Sequence, residues 1–158
     1  MAWWKIVAAG VVAGVAATAA TSLFQAAAAP LMGQDQSDAD PANVQAADDA
    51  AIAATGRHLS PAHKPAAGSA VHYATGTALG IAYAVAAARA PRTAAGFGVP
   101  FGLGVALLLD DLLVPAAGWG DWPADTPAAT HAYGLATHAV FGAVLEGGRR
   151  AVLAGLDA

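Results

Sequence analysis

The stretch "AAGFGVPFGLGVALLLDDLLVPAA", residues 94–117, decides how this chain is read. As a helix rising ~1.5 Å per residue, it is long enough to cross roughly 30 Å of hydrocarbon. It also carries two adjacent aspartates, Asp110 and Asp111, among leucines. An ionisable group inside a bilayer costs several kcal/mol unless it faces the interior of a bundle and finds a partner there. The stretch therefore predicts a membrane helix packed against other helices, with something polar waiting opposite the aspartates.

Three further apolar blocks supply the other helices, at about residues 6–29, 70–88 and 129–147. The 158-residue chain is 57% hydrophobic and 11% charged, whereas soluble domains carry about 25% charged residues. The expected fold is all-α: a polytopic membrane protein with a four-transmembrane-helix bundle in one membrane domain, residues 1–158, and an outer loop at 30–69. A net charge of −4 with no basic patch argues against nucleic acid as a partner. The absence of cysteine excludes disulfides, thiolate catalysis and cysteine-ligated metals. Lys5, the first apolar run and "AAAA" before Pro30 also fit a secretory signal. That run is longer than the ~7–15 residues typical of a signal's apolar region, so a retained helix is expected.

The charges orient the bundle. Lys5, Arg89, Arg92, Arg149 and Arg150 fall on one side of a four-span topology. Asp35, Asp38, Asp40, Asp48, Asp49, Asp121 and Asp125 fall on the other, with Arg57 and Lys64. The positive-inside rule then puts both termini in the cytoplasm. Trp3 and Trp4 at one face, and Trp119 and Trp122 at the other, suit interfacial belts. Within the outer loop, "DPANVQAADDAAIAATG" predicts a short helix capped by Asp40, with Pro41 first in the helix and Gly56 ending it. Val44, Ala47, Ala51 and Ile52 would form its weakly apolar face. "RHLSPAHKPAAG" is expected to return the chain in extended form, because its prolines disfavour helix. Pro100 is expected to kink the third span.

Small residues recur every four positions: Gly10 and Gly14; Gly76, Gly80 and Ala84; Gly98, Gly102 and Ala106; and Gly134 and Gly142 around His138. Such ridges let helix backbones approach closely in lipid, where no hydrophobic force drives association.

The predicted topology gathers the polar residues in the outer half. His72, Asp110, Asp111, His131 and His138 are the candidates for a proton- or ion-binding cluster. Asp110 continues the row of small residues at 98, 102 and 106 and is expected to face a neighbouring helix. Asp111, about 100° away, is expected to point elsewhere, toward the outer loop. The partner of Asp110 is expected to be His72 or His138. Those three could also serve as zinc ligands, and histidines from two helices could hold a haem. No compact metal motif, phosphate loop or nucleophile elbow is present, and no cofactor is implied. Glu146 is placed for i, i+3 and i, i+4 ion pairs with Arg149 and Arg150 at the cytoplasmic end. His58 and His63, five apart in the outer loop, are a weaker pair.

Three segments together resemble the YagU-like family of uncharacterised bacterial inner-membrane proteins: "VHYATGTALGIAYAV", with His72 eleven residues before Tyr83; "LLVPAAGW" followed by "DWPADTP"; and "THAVFGAVLEGGRR", with His138, Glu146, Arg149 and Arg150. The resemblance covers most of residues 70–150. It implies a multi-pass protein of the bacterial inner membrane and brings no established reaction. A family member has histidine where Asp110 stands, so the resemblance implies a polar group there rather than a fixed ligand. The leading functional expectation is proton or ion handling at the outer-half Asp/His site, in a non-enzymatic protein whose partner is the lipid bilayer. The alternatives are a structural or partner-binding membrane protein, with a homo-oligomer or a membrane partner, whose polar residues only lock packing, and a membrane metal- or haem-binding protein.

Overall fold

The structure, a computed structural model, describes residues 2–31 and 40–158. Asp35 and Asp38, assigned above to the outer face, lie outside the described residues. The architecture is all-α, with no strand among the described residues. Its elements are α1 (Trp3–Ala28), α2 (Ala42–Thr55), α3 (Lys64–Arg89), α4 (Val99–Leu108), a π-turn (Leu109–Leu113), α5 (Val114–Ala116) and α6 (Ala128–Asp157). α4, the π-turn and α5 follow one another without a break.

α1 packs extensively against both α3 and α6, and α4 packs against α6. Two glycine crossings set these distances. A Cβ built on Gly10 would lie 2.7 Å from the Ile81 Cα, and one on Gly14 would lie 2.6 Å from the Gly76 carbonyl oxygen. Gly80 in turn sits on the Gly10 carbonyl. The second crossing joins α4 to α6: Gly98 and Gly142 each sit on the other's carbonyl, and Gly102 sits on that of His138. Gly98 is fixed twice over, because its φ of 78° also lies in the left-handed region. Gly134 belongs to neither crossing; its nearest outside atom is the Asp110 Oδ2 at 3.8 Å.

Between the crossings the core consists of Ala13, Ala17, Tyr83, Phe141 and Leu145. On α1 the small residues Ala9, Gly10, Ala13, Gly14 and Ala17 are buried, while Val12, Val15 and Leu23 are exposed. Leu107, Leu108, Leu112 and Leu113 are likewise exposed around the π-turn.

Two helical runs are long and apolar enough to cross a membrane, Trp3–Ala28 with mean hydropathy 1.9 and Pro91–Ala116 with mean hydropathy 1.8. α3 and α6 are long enough but fall short in hydropathy. Their alanine, glycine, threonine and histidine dilute the apolar signal, so the expected count of four spans does not follow from apolarity. Several local expectations also shift. The third span is not one straight helix from residue 94. Ala95 is extended and Gly96, Phe97 and Gly98 have positive φ, so α4 starts at Val99. Pro100 then lies in the first turn, where no intrahelical N–H is needed, and caps the helix instead of kinking it. Pro65 plays the same part in α3, which begins at Lys64 where an extended return was expected. α2 is capped by Pro41 without a side-chain bond. Asp40 instead pairs with Lys64 at 2.5 Å. Gly56 ends α2 in the left-handed conformation, φ 72°. α6 runs ten residues beyond the expected end at 147, and Lys5 Nζ bonds its Leu156 carbonyl at 2.5 Å and Asp157 at 2.7 Å.

Candidate functional site

The site begins with the π-turn. The Val114 N–H bonds the Leu109 carbonyl, five residues back. A proline at 115 would press its ring on the Asp111 carbonyl in a regular α-helix and offers it no N–H. The wider turn relieves that clash. It also swings both aspartates toward α6. Asp110 Oδ2 lies 3.4 Å from His138 Nδ1, and Asp111 Oδ1 lies 3.5 Å from His131 Nδ1. The two histidines are two turns apart on one face of α6, so the pairs stack as a ladder. The expectation that Asp111 points to the outer loop is thereby corrected. It assumed the 100° step of an α-helix, and the chain does not keep that step here.

The two rungs differ in their protons. His131 Nε2 lies 3.0 Å from the Pro123 carbonyl, which can only accept, so Nε2 carries a hydrogen. His131 Nδ1 is then the ring nitrogen that faces the Asp111 carboxyl. His138 Nδ1 lies 3.1 Å from the Gly134 carbonyl, again an acceptor. That nitrogen therefore donates to the carbonyl, and the Asp110 carboxylate lies 3.4 Å from it.

Two cavities meet at the inner rung. One, of about 280 Å³, runs from Asp121, Thr126 and Thr130 past Asp111 and His131 to Asp110 and His138. The other, of about 630 Å³, lies between α3 and α4. Asp110 and His138 line both. At 48% side-chain exposure, Asp110 is open to this space and not sealed in the packing.

His72 lines the larger cavity but reaches neither aspartate. Its Nε2 is buried with no hydrogen-bond partner among the described residues. Of the two partners expected for Asp110, His138 is the one that faces it, and His72 is held off because α3 and α4 stand apart in this half. Among the described residues no group of three histidines or carboxylates is placed to hold a metal ion. The loop histidines serve locally: His58 Nδ1 meets Asp48 at 2.7 Å, and His63 Nδ1 meets Ser60 at 2.8 Å. His58 and the Leu59 N–H hold the Asp48 carboxyl below its ordinary value.

The opposite end of the bundle is closed. Glu146 is fully buried and accepts from Arg149 at 2.7 and 2.9 Å, Arg150 at 2.5 Å and the Tyr83 hydroxyl at 2.9 Å. Its carboxylate raises the already high Arg149 pKa further. The i, i+3 and i, i+4 spacing pointed to the arginines. Tyr83 carried no such signal, because it comes from another helix.

No family model, no curated protein and no solved structure matches this chain.

Proposed function

We propose that the chain is a four-span bacterial inner-membrane bundle of the kind its resemblance to the YagU-like proteins implies, and that its Asp–His ladder takes up and releases protons from the outer side. Membrane placement is supported by the inverted size pattern of α1, small residues inward and valines and leucine outward. A water-soluble helix buries its large apolar side chains. α3 and α6 cross beside α1 because they pack along it for most of its length. Both termini are then cytoplasmic, and the ladder lies in the outer half.

The observation that carries the function is the stacked geometry of the two rungs, each aspartate facing its own histidine along a cavity. Histidine as a residue type changes charge near neutral pH, and here each of the two faces a carboxylate. Asp110 is faced by His138 from α6, Asp111 from its own turn, neutral Gln25 from α1 and His72 across the cleft on α3. Among the described residues, no lysine or arginine lines either cavity. The Glu146 lock and the aromatic core separate the ladder from the cytoplasmic end, so access is one-sided.

The test is proton uptake by the reconstituted chain after an acid step on its outer side. Uptake is expected in the native chain and absent when Asp110→Asn and Asp111→Asn are combined. Equal uptake by the two would refute the proposal.

A further inference from the structure

The larger cavity has four closed sides and one open one. α2 and Trp119 roof it at the outer end, through Pro41, Asn43 and Ala46. Leu79, Val105 and Phe141 form its floor. α1 and α6 make the back wall with Thr18, Thr21, Gln25, Thr137 and His138. α3 and α4 touch deeper down, where the Tyr83 and Phe101 rings lie 4.8 Å apart. Above that contact they line opposite walls of the cavity, and we take the gap between them as its mouth. In the orientation proposed above, this mouth opens sideways into the outer leaflet, not toward water.

The chemistry of the lining is one-signed. Among the described residues, Asp110 is the one acid lining the cleft, and no lysine or arginine does so. Its carboxylate is half-exposed to the cleft, and His138 Nδ1 lies 3.4 Å from it. His72 Nε2, buried and unpartnered among the described residues, lies in the wall from which α3 faces Asp110. With the proton on Nδ1 that nitrogen would accept, and it would meet a donor in the cleft after a turn of the imidazole. The cleft thus presents one exposed carboxylate, a second acceptor reached by that turn, and an apolar body of about 630 Å³, within the range of small-molecule sites, ~300–1,000 Å³.

We propose that this cleft binds a membrane-dissolved amphiphile with a protonated primary amine as its head. The ammonium donates to the Asp110 carboxylate and to His72 Nε2. The hydrocarbon tail lies between α3 and α4 and leaves through the mouth into lipid. A carboxylate or phosphate head is repelled by Asp110, and a neutral hydroxyl meets it without a charge. The site shares Asp110 with the proposed proton ladder, yet it needs only that the carboxylate be ionised when the amine enters.

Three alkyl probes with the same diazirine-bearing twelve-carbon tail, headed by a primary amine, a hydroxyl and a carboxylate, test this on the full chain in phosphatidylcholine nanodiscs. Photolabelling is mapped by mass spectrometry. The amine is expected to label residues of α3 and α4 facing the cleft at least about tenfold more than the alcohol, the carboxylate least. Amine labelling should fall to the alcohol level in Asp110→Asn. It should also fall in Thr75→Trp, which fills the cleft from α3 and leaves both Asp–His rungs intact. Equal labelling by all three heads, or amine labelling unchanged in both variants, overturns the proposal. Proton uptake is read on the same samples. Thr75→Trp is expected to retain it, so the amine site and the proton ladder can fail separately.

Discussion

Replacing Glu146 with glutamine is the sharpest test of how the bundle is held. The substitution keeps the side chain's shape and removes its charge. The carboxylate is fully buried, and Arg149 is only 16% exposed, so the guanidinium loses its counter-ion in a place that water hardly reaches. Breaking a buried pair by removing one partner costs about 3–5 kcal/mol. Arg150 is 56% exposed and adds little. Tyr83→Phe removes one hydrogen bond and leaves Glu146 with both arginines. Interhelical hydrogen bonds in membranes contribute about 0.6 kcal/mol on average and at most about 1.7. The expected order is therefore a loss of about 3–5 kcal/mol for Glu146→Gln and about 1 for Tyr83→Phe. The Tyr83 effect should shrink once Glu146 is replaced, because the hydroxyl's charged acceptor is gone. Reversible unfolding in mixed micelles, followed by circular dichroism, measures all four corners of this cycle. A Glu146→Gln loss below about 1 kcal/mol, or two effects that simply add, would refute the lock.

Four further outcomes are expected. Gly98→Ala forces a side chain into a left-handed backbone and onto the Gly142 carbonyl, and should lose at least about 1–3 kcal/mol in the same unfolding assay. Gly104→Ala, where nothing lies within 4 Å, should be neutral or slightly stabilising. Asp48 has a folded pKa below its ordinary 3.8, so its bonds to His58 and Leu59 are fully present above pH 3.8 and fade as pH falls through the lower folded value. After correction for intrinsic exchange, the Leu59 amide should lose hydrogen-exchange protection over that acid window and keep it at neutral pH. Trp119→Phe removes the 2.7 Å bond to Asp49 that ties α2 to the turn after α5, and exchange within α2 should quicken while α1 is unaffected.

Much of the bundle was legible in the composition and spacing of the sequence. Four-residue glycine spacing located both tight crossings, and Gly134 shows the limit of that rule. It keeps step with His138 and Gly142, yet it faces a carboxylate and not a backbone. Charge inside an apolar block located the aspartates, and the seven-residue spacing put His131 and His138 on one face. The orientation of Asp111 was not legible, because a π-turn is a shift of backbone hydrogen bonds and has no residue signature of its own. Pro115 is its one physical hint. His72 was misplaced for a related reason: depth in the membrane was readable, but lateral separation of α3 from α4 depends on how both lean against α1 and α6. Tyr83 went unassigned because its partner lies 63 positions away.

The tie between Lys5 and the end of α6 joins residues 151 positions apart. α1 must therefore find a helix made well after it. Until α6 emerges from the ribosome, the buried face of α1 can be covered only by α3, and Gly98 and Gly102 have no backbone to rest on. The contacts of α6 with α1 and α4 form in one late step, so the bundle should mature slowly. A chain arrested before α6 would keep its glycine ridges uncovered, a natural target for quality control. The last helix closes the structure as a keystone closes an arch, and truncations within it should be far more damaging than their length suggests.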